Sequence, residues 1–289
     1  MNNFEFYCIT NIQSEKLEEL NINLAGVGMN SFNKNYITCE TGENINEKEK
    51  HYSELTFHFW FWKNKMNEFS DDAWIGFCQK RRFWLRSKNQ KMDNPLKDII
   101  LNDVPSEWTG YESVICEPIQ LGTKFMKLVK RGWKNYESII CNPINVSGAK
   151  KIKMLKRGLK NILKNPSIFF DKEKETIKLH FDMHHGYGVL DKAIDVMNSN
   201  DREEFREYVN TKTIINPHIM FISKKKIMDQ WFNDVFAWLF ECEKIFGFDE
   251  LKGYDQTRLY AYLAERYLSF WFKKHTKAIE WPWTFQDID

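Results

Sequence analysis

Short apolar runs punctuate this chain, and longer stretches with apolar residues every three or four positions separate several of them. FEFYCIT (4–10), AWIGFC (73–78), KDIIL (97–101), ESVIC (112–116), ESIIC (137–141) and HIMFIS (218–223) are rich in β-branched and aromatic residues and predict strands. Segment 44–65 has helical spacing instead: Asn46 is placed as an N-cap with Glu49 three residues on, a capping box, and Leu55, Phe59 and Trp62 share one face. Two more helices are predicted from Lys225 to Phe246 and from Asp255 to Lys274, the second with Asp255 as its N-cap. Strands alternating with helices predict an α/β fold with a largely buried sheet, and 289 residues suit one domain.

An internal repeat interrupts this alternation. YESVICEPIQLGTKFMKLVKRGWKN (111–135) is followed by YESIICNPINVSGAKKIKMLKRGLKN (136–161), each copy reading as a strand, a Pro-containing turn and a basic helix. Two copies are too few for a solenoid, so 111–165 is read as a duplicated insertion that extends a sheet edge or forms a surface arm. Its helices are cationic and amphipathic: Lys124, Lys127, Lys130, Arg131 and Lys134 in one copy and Lys150, Lys151, Lys153, Lys156, Arg157, Lys160 and Lys164 in the other stand without a single acid among them. A solvated helix face explains this pattern, and so does docking of 122–164 on an anionic membrane surface. No nucleic-acid-binding motif accompanies the charge, and no nucleic-acid partner is expected.

Composition narrows the picture in three places. Forty-two Lys and Arg against 40 Asp and Glu leave a net charge of +2, so only the distribution of charge is informative. Twenty-three Phe and 11 Trp supply a ring-rich core and rings for stacking. The six cysteines are spread singly, four of them in strand-like runs, and read as reduced core thiols of a cytoplasmic protein. No basic leader precedes an apolar segment at the N-terminus, and no run reaches a membrane span, so the protein is expected in the cytoplasm, peripheral on the inner membrane at most.

Three polar constellations carry candidate chemistry. In KLHFDMHHGYGVLDKA (178–193), an extended LHFDMHH would put His180, Asp182 and His184 on one face, where Asp182 and His184 could hold Mn2+ or Mg2+; a metal-free hydrogen-bonded network is the alternative. In CETGENINEKEK, Glu40, Thr41, Glu43 and Asn44 crowd a loop before a helix, either offsetting its dipole or binding sugar hydroxyls. In GFCQKRRFW, Arg81 and Arg82 follow an apolar strand, where paired guanidiniums suit a diphosphate or carboxylate.

Taken in order, FYCITN, ETGENINEKEKHYSELTFHFWFWKN, IGFCQKRRFW, DIIL, HHGYGVLDKAIDVM, NPHIMFISKKKIMDQWFNDVFAWLFECEK and TRLYAYLAERYLSFWF resemble the bacterial domain of formerly unknown function now called glycosyltransferase family 111. The resemblance spans most of the chain outside 111–165. It implies a GT-A-like nucleotide-sugar transferase fold and galactofuranosyl transfer in O-antigen or capsule assembly, from a UDP-sugar to a glycan on a polyprenyl-diphosphate carrier. The family's Glu-Thr-Gly segment falls on Glu40 to Asn44, its Glu-Leu-Thr on Glu54, Leu55 and Thr56, its Trp-Lys-Asn on Trp62, Lys63 and Asn64, and its late Glu-Arg pair on Glu265 and Arg266. Thr10, Asn11, His218 and Arg258 lie in the other matching segments and join the substrate-binding set. Members usually show Cys-His-Tyr-Arg-Arg where this chain has Cys78, Gln79, Lys80, Arg81 and Arg82, so the role of that histidine does not carry over.

Sugar transfer needs the charge of the leaving diphosphate stabilised and, for an inverting step, a base for the acceptor proton. Arg81, Arg82 and the Asp182/His184 pair are candidates for the first task, and Asp191, His185 and Glu43 for the second. A non-catalytic carbohydrate- or nucleotide-binding module and a metal-dependent hydrolase stay open beside the transferase.

Overall fold

The computed structural model describes residues 4–121, 175–197 and 200–288. In chain order these build β1 (Phe4–Thr10), α1 (Glu15–Glu18), β2 (Asn23–Gly26), β3 (Tyr36–Thr38), α2 (Glu49–Tyr52), α3 (Leu55–Asn64), β4 (Trp74–Gln79), β5 (Arg82–Trp84), α4 (Leu96–Ile99), β6 (Ser113–Cys116) and β7 (Ile119–Gln120). After the repeat come α5 (Ile177–His185), α6 (Val189–Asp195), α7 (Arg202–Thr211), β8 (Ile214–Ile215), β9 (Phe221–Lys224), α8 (Lys225–Phe246), α9 (Tyr254–Thr257), α10 (Leu259–His275), β10 (Ala278–Trp281) and β11 (Trp283–Phe285).

The main sheet runs β10-β6-β9-β4-β1-β2-β3, with β5 joined to β4 and β11 to β5. β1 pairs in parallel with both β2 and β4, whereas β9 runs antiparallel to β4 and β6. Alternation along each strand feeds two apolar layers. Tyr7, Ile9, Ile75 and Phe77 face a layer built with Phe57, Phe61, Trp231, Phe232 and Trp271 of α3, α8 and α10. Phe6, Cys8, Trp74 and Cys78 face the other, which holds Trp84, Trp108 and Trp281. Two of the buried indoles find acceptors, Trp84 Nε1 donating to Phe77 O at 3.0 Å and Trp281 Nε1 to Leu85 O at 2.8 Å, while the indole N–H groups of Trp108 and Trp231 are buried with no partner among the described residues. Among the described residues, no helix is long and apolar enough to cross a membrane.

The expected strands 4–10, 73–78, 112–116 and 218–223 are present, with shifts of up to three residues at their starts. Several expectations are corrected. LHFDMHH is helical, not extended: Thr176 caps α5 by accepting the Leu179 N–H, Ile177, Phe181 and His185 bury at four-residue spacing, and Gly186, at φ +131°, ends the helix. KDIIL forms the short α4 and a bridge from Ile100 to Leu85. The 44–65 segment breaks at Ser53, whose φ is +54°, and Asn46 is no N-cap. The last long helix is interrupted at Arg258, and Gly253, not Asp255, precedes the first of its two pieces. β6, the strand of the first repeat copy, lies inside the sheet between β9 and β10, and β7 pairs with β8 in a separate two-stranded sheet; residues 122–165 of the insertion lie outside the described residues. Cys8, Cys39, Cys78, Cys116 and Cys242 are buried free thiols, while Cys141 lies outside the described residues.

His58, in the middle of α3, is fully buried among Phe77, Phe221 and Phe232, and neither ring nitrogen has a hydrogen-bond partner among the described residues. Burial pulls its pKa down from 6.5 to about 3. The unfolded chain therefore binds a proton below pH 6.5 that the folded chain refuses until about pH 3, so this residue makes the fold lose stability as pH falls through that window. Urea unfolding at pH 7 and pH 5 should show a smaller pH-dependent loss in His58→Leu than in the wild type, the difference reaching about 1 kcal/mol per pH unit. A second outcome concerns the β4–β9 seam, where Gly76 faces Ile222 and a Cβ at Gly76 would stand 2.5 Å from Ile222 Cγ1. Gly76→Val should lower stability by about 1–3 kcal/mol, read from the urea midpoint.

Candidate functional site

The chain leaves β1 for β2 on one side and later returns to place β4 on the other, so the carboxyl ends of β1 and β4 mark a topological switch point. Thr10 turns the chain there: its hydroxyl donates to Ile12 O at 2.7 Å and accepts from Ile12 N, leaving Asn11 half-buried at the crest. At the end of β2, Gly28 has φ +82°, and its backbone is clamped both ways by the buried Asn46, whose Oδ1 accepts the Gly28 N–H at 2.8 Å and whose Nδ2 donates to Gly28 O at 3.0 Å. That is the work of the residue expected to cap a helix. A Cβ on Gly28 would lie 3.4 Å from Glu49 Oε2, so the missing side chain lets this carboxylate sit over the end of β2.

Glu49 belongs to a charged group drawn from three distant parts of the chain. Burial holds its carboxyl above the usual carboxylate range, and Glu54 adds to this against the pull of Arg258, Lys80 and a hydrogen bond with Asn11. Lys80, just beyond β4, is displaced downward by burial and then by the positive charges of Arg81 and Arg258, which Glu54 and Glu49 only partly offset. Burial opposes the charge on Arg258 too, but Glu54, Tyr254, Glu49 and Tyr262 outweigh it and raise its pKa. Arg81 also pairs with the exposed Asp287 at 3.4 Å. The edge thus crowds Lys80, Arg81 and Arg258 together at a half-buried switch point.

A second group stands further along the same edge. Glu265 Oε1 accepts the His218 backbone N–H at 2.6 Å, and its Oε2 pairs at 2.9 Å with Arg266, which is 3% exposed. Arg266 also donates to His180 Nδ1 at 3.3 Å. His218 adopts φ +70°, and its ring meets Trp283 edge-on at 4.6 Å. Arg82 turns away from Arg81: it donates to Gln79 Oε1 at 2.9 Å, lies over Phe285, and its Nε has no partner among the described residues. Burial pushes the Cys116 thiol well up, and the charges of Glu265 and Arg82 bear on it in opposite directions, so both face the end of β6. Arg258, Tyr262, Glu265 and Arg266 fall at helical spacing along one side of α10 and connect the two groups.

The remaining expected site residues go elsewhere. Asp182 is fully buried; its Oδ2 takes Lys178 at 3.0 Å and its Oδ1 accepts the Gly188 N–H at 3.1 Å. His184 stacks on His180, one turn away, with ring centroids 4.4 Å apart. Two positions apart on a helix, Asp182 and His184 point to nearly opposite sides, so the expected metal pair does not converge, and the described residues hold no group of three or more His, Cys, Asp or Glu suited to a metal ion. Asp191, 2.6 Å from the same Lys178, completes an ion triad. His185 packs on Tyr262 at 3.9 Å, and its Nδ1 donates to Asp255 O at 2.6 Å, anchoring α5 to α9.

The Glu40–Asn44 loop is tied to the far end of α3, about 15 Å of helix away from Glu54. Asn64 accepts the Glu43 N–H and donates to Glu43 O, Trp60 Nε1 donates to Thr41 O, and Asn44 donates to Glu40 O and Gly42 O. Lys63 is exposed and lies 3.6 Å over the Trp62 ring. Sequence reading missed Glu49, Lys80 and Gly28. Lys80 stands next to the arginine pair after a strand, a signal that could have found it.

A family profile described as "Domain of unknown function (DUF4422)" matches residues 12–276. No curated protein matches the chain significantly. Among solved structures, the apo structure of the WbbM bifunctional glycosyltransferase superimposes with a TM-score of 0.55 at 19% sequence identity, over 98% of this chain and 45% of that one. This chain thus spans less than half the length of that protein, and the likeness is one of fold: a GT-A-like mixed sheet flanked by helices. With the profile covering all but the ends of the sequence, the chain belongs to the DUF4422 family.

Proposed function

We propose that the chain is a glycosyltransferase that moves a sugar, galactofuranose or galactose, from a UDP-sugar to a lipid-linked or cell-surface glycan, as in the glycosyltransferase family 111 that its sequence resembles. The observation that carries this reading is the gathering of Lys80, Arg81 and Arg258 at the switch point, where burial first, and then the charges of Arg81 and Arg258, disfavour the protonated Lys80. Like charges brought together in a half-buried crevice cost stability, and an anion seated among them removes that cost. A diphosphate has the charge and the span to do so, and the match to a glycosyltransferase fold favours a sugar nucleotide as its bearer.

Strand spacing gives the layout. At about 4.8 Å per strand, β2 to β9 covers about 14 Å, room for a nucleotide and its sugar laid along the edge. Asn11, Gly28 and Glu49 flank the nucleoside end, and Lys80, Arg81 and Arg258 take the diphosphate. The His218, Glu265 and Arg266 group then lies beside the sugar and the acceptor. As the bond from sugar to diphosphate breaks, the growing negative charge falls on cations already in place, which is where preorganised electrostatics lowers a barrier. Because Asp182 and His184 do not fit a divalent ion, no step is assigned to one. The lysine-rich sequence 122–164, outside the described residues, would hold the enzyme at an anionic bilayer carrying a polyprenyl-diphosphate acceptor, by its charge alone.

Calorimetric titration with UDP, with and without manganese, tests the donor site. Lys80→Met and Arg258→Met should each weaken binding about tenfold or more, while Lys63→Met, on the outer side of α3, should leave it unchanged. Absence of UDP binding, or equal affinity in all four proteins, would refute the donor site; UDP binding with no sugar transfer to any glycan acceptor would favour a binding module.

A further inference from the structure

We propose that Tyr254 is the stacking platform for the base of the nucleotide donor, its ring carrying the pyrimidine on one face and Arg258 on the other. The inference rests on the donor-site reading and deepens it by naming what recognises the nucleoside. Tyr254 and Tyr187 are the two exposed aromatic rings among the described residues, at 59% and 44%, whereas every other described Phe, Tyr and Trp is buried or half-buried. A lone exposed ring is ordinary on a protein surface, so its place in the fold decides what it can do.

Tyr254 stands on a fixed mount. α9 is a single turn, entered through Gly253 at φ +79° and closed by the helix break at Arg258. Two of its carbonyls tie it to helices on either side: His51 Nδ1 of α2 meets Thr257 O at 2.7 Å, and His185 Nδ1 of α5 meets Asp255 O at 2.6 Å. The ring is therefore held beside α2, the helix that carries Glu49, where the nucleoside end of the donor is laid. Among the described residues the Tyr254 ring meets only Arg258, whose guanidinium carbon lies 5.2 Å from the ring centre. Glu54, Tyr254 and Glu49 are also the groups whose charges bear most strongly on Arg258. Tyr262, one turn beyond Arg258, repeats the spacing, but its ring is already packed on His185 at 3.9 Å. Tyr187 stands beside Lys178, with the Asp182 and Asp191 triad and not with the cations of the switch point.

Every nucleobase has a π-face, and stacking on an aromatic side chain stabilises it whatever its hydrogen-bonding edge. With ring centres about 5 Å apart, a base on the solvent face of Tyr254 lies about 10 Å from the Arg258 guanidinium. A ribose and one phosphate fill that gap. One ligand can thus reach the ring and the cations of the switch point together. Arg258 serves both ends: it faces the diphosphate and, lying over Tyr254, steadies the ring through a cation–π contact.

The test is calorimetric titration of wild type, Tyr254→Ala and Tyr254→Phe with UDP and, separately, with inorganic pyrophosphate, which has the charge but no base. Tyr254 is exposed, so neither substitution opens a cavity. Tyr254→Ala should weaken UDP binding at least fivefold and leave pyrophosphate binding within twofold of wild type. Tyr254→Phe should keep both within twofold, because the ring and not the hydroxyl does the stacking. Unchanged UDP affinity in Tyr254→Ala overturns the platform and leaves the anion site intact. An equal loss of UDP and pyrophosphate affinity overturns it as well, since Tyr254 would then act only as a prop for Arg258. A loss in Tyr254→Phe as large as in Tyr254→Ala also removes the ring from the role. Wild type that binds pyrophosphate but not UDP overturns the platform alone, and wild type that binds neither overturns it together with the donor-site reading.

Discussion

β1 is hydrogen-bonded in parallel on both flanks, and both of its faces are buried. Parallel neighbours cannot be joined by tight turns, so each connection must travel back across a face of the sheet. This places helices on both sides and collects the loops that follow β1, β2 and β4 at one edge. The polar residues of the site are there because the strands leave them nowhere else to emerge. Two apolar layers, one rich in phenylalanine and one in tryptophan, hold that edge rigid from below.

At the edge the chain accepts unfavourable terms that a purely structural surface would avoid. A lysine is crowded by two guanidiniums, a glutamate is partly desolvated over a glycine, and a histidine is kept in a left-handed backbone. Each is held by something more stable. Asn46 fixes Gly28 through two backbone hydrogen bonds, and the Glu265–Arg266 pair fixes His218. Away from the edge, the Glu40–Asn44 loop is satisfied by Asn64 and Trp60, and the Lys178 triad satisfies its own charges. These motifs attract notice in the sequence because local architecture also needs particular polar residues.

The alternation of apolar runs was enough to place the main strands and the α/β class, because burial of both faces of a sheet writes itself directly into composition. The α5 segment misled because LHFDMHH is compatible with period two; the cap at Thr176 and the stop at Gly186 decided for a helix. Arg81, Arg258 and Asn11 were expected at a site from position and from family resemblance, yet their convergence with Glu49 and Lys80 was not visible. Glu49 read as a capping residue because local spacing cannot reveal that Gly28 leaves room for its carboxylate. Arg258 lies at a helix break that a continuous apolar pattern conceals.

The segment around Glu49 is tied to the C-terminal third across long stretches of chain: His51 donates to Thr257 O over 206 residues, and Tyr52 to Glu243 over 191. Contacts of such sequence separation are bought late in folding, after many loops have closed. The edge that brings Glu49 and Lys80 to Arg258 therefore does not pre-exist in an N-terminal fragment or in a partly folded chain; it forms only when the last long helix docks. An anion held between Lys80 and Arg258 would in turn act as a clasp between the first and last thirds of the protein, so that occupancy of the site would add to the stability of the whole domain.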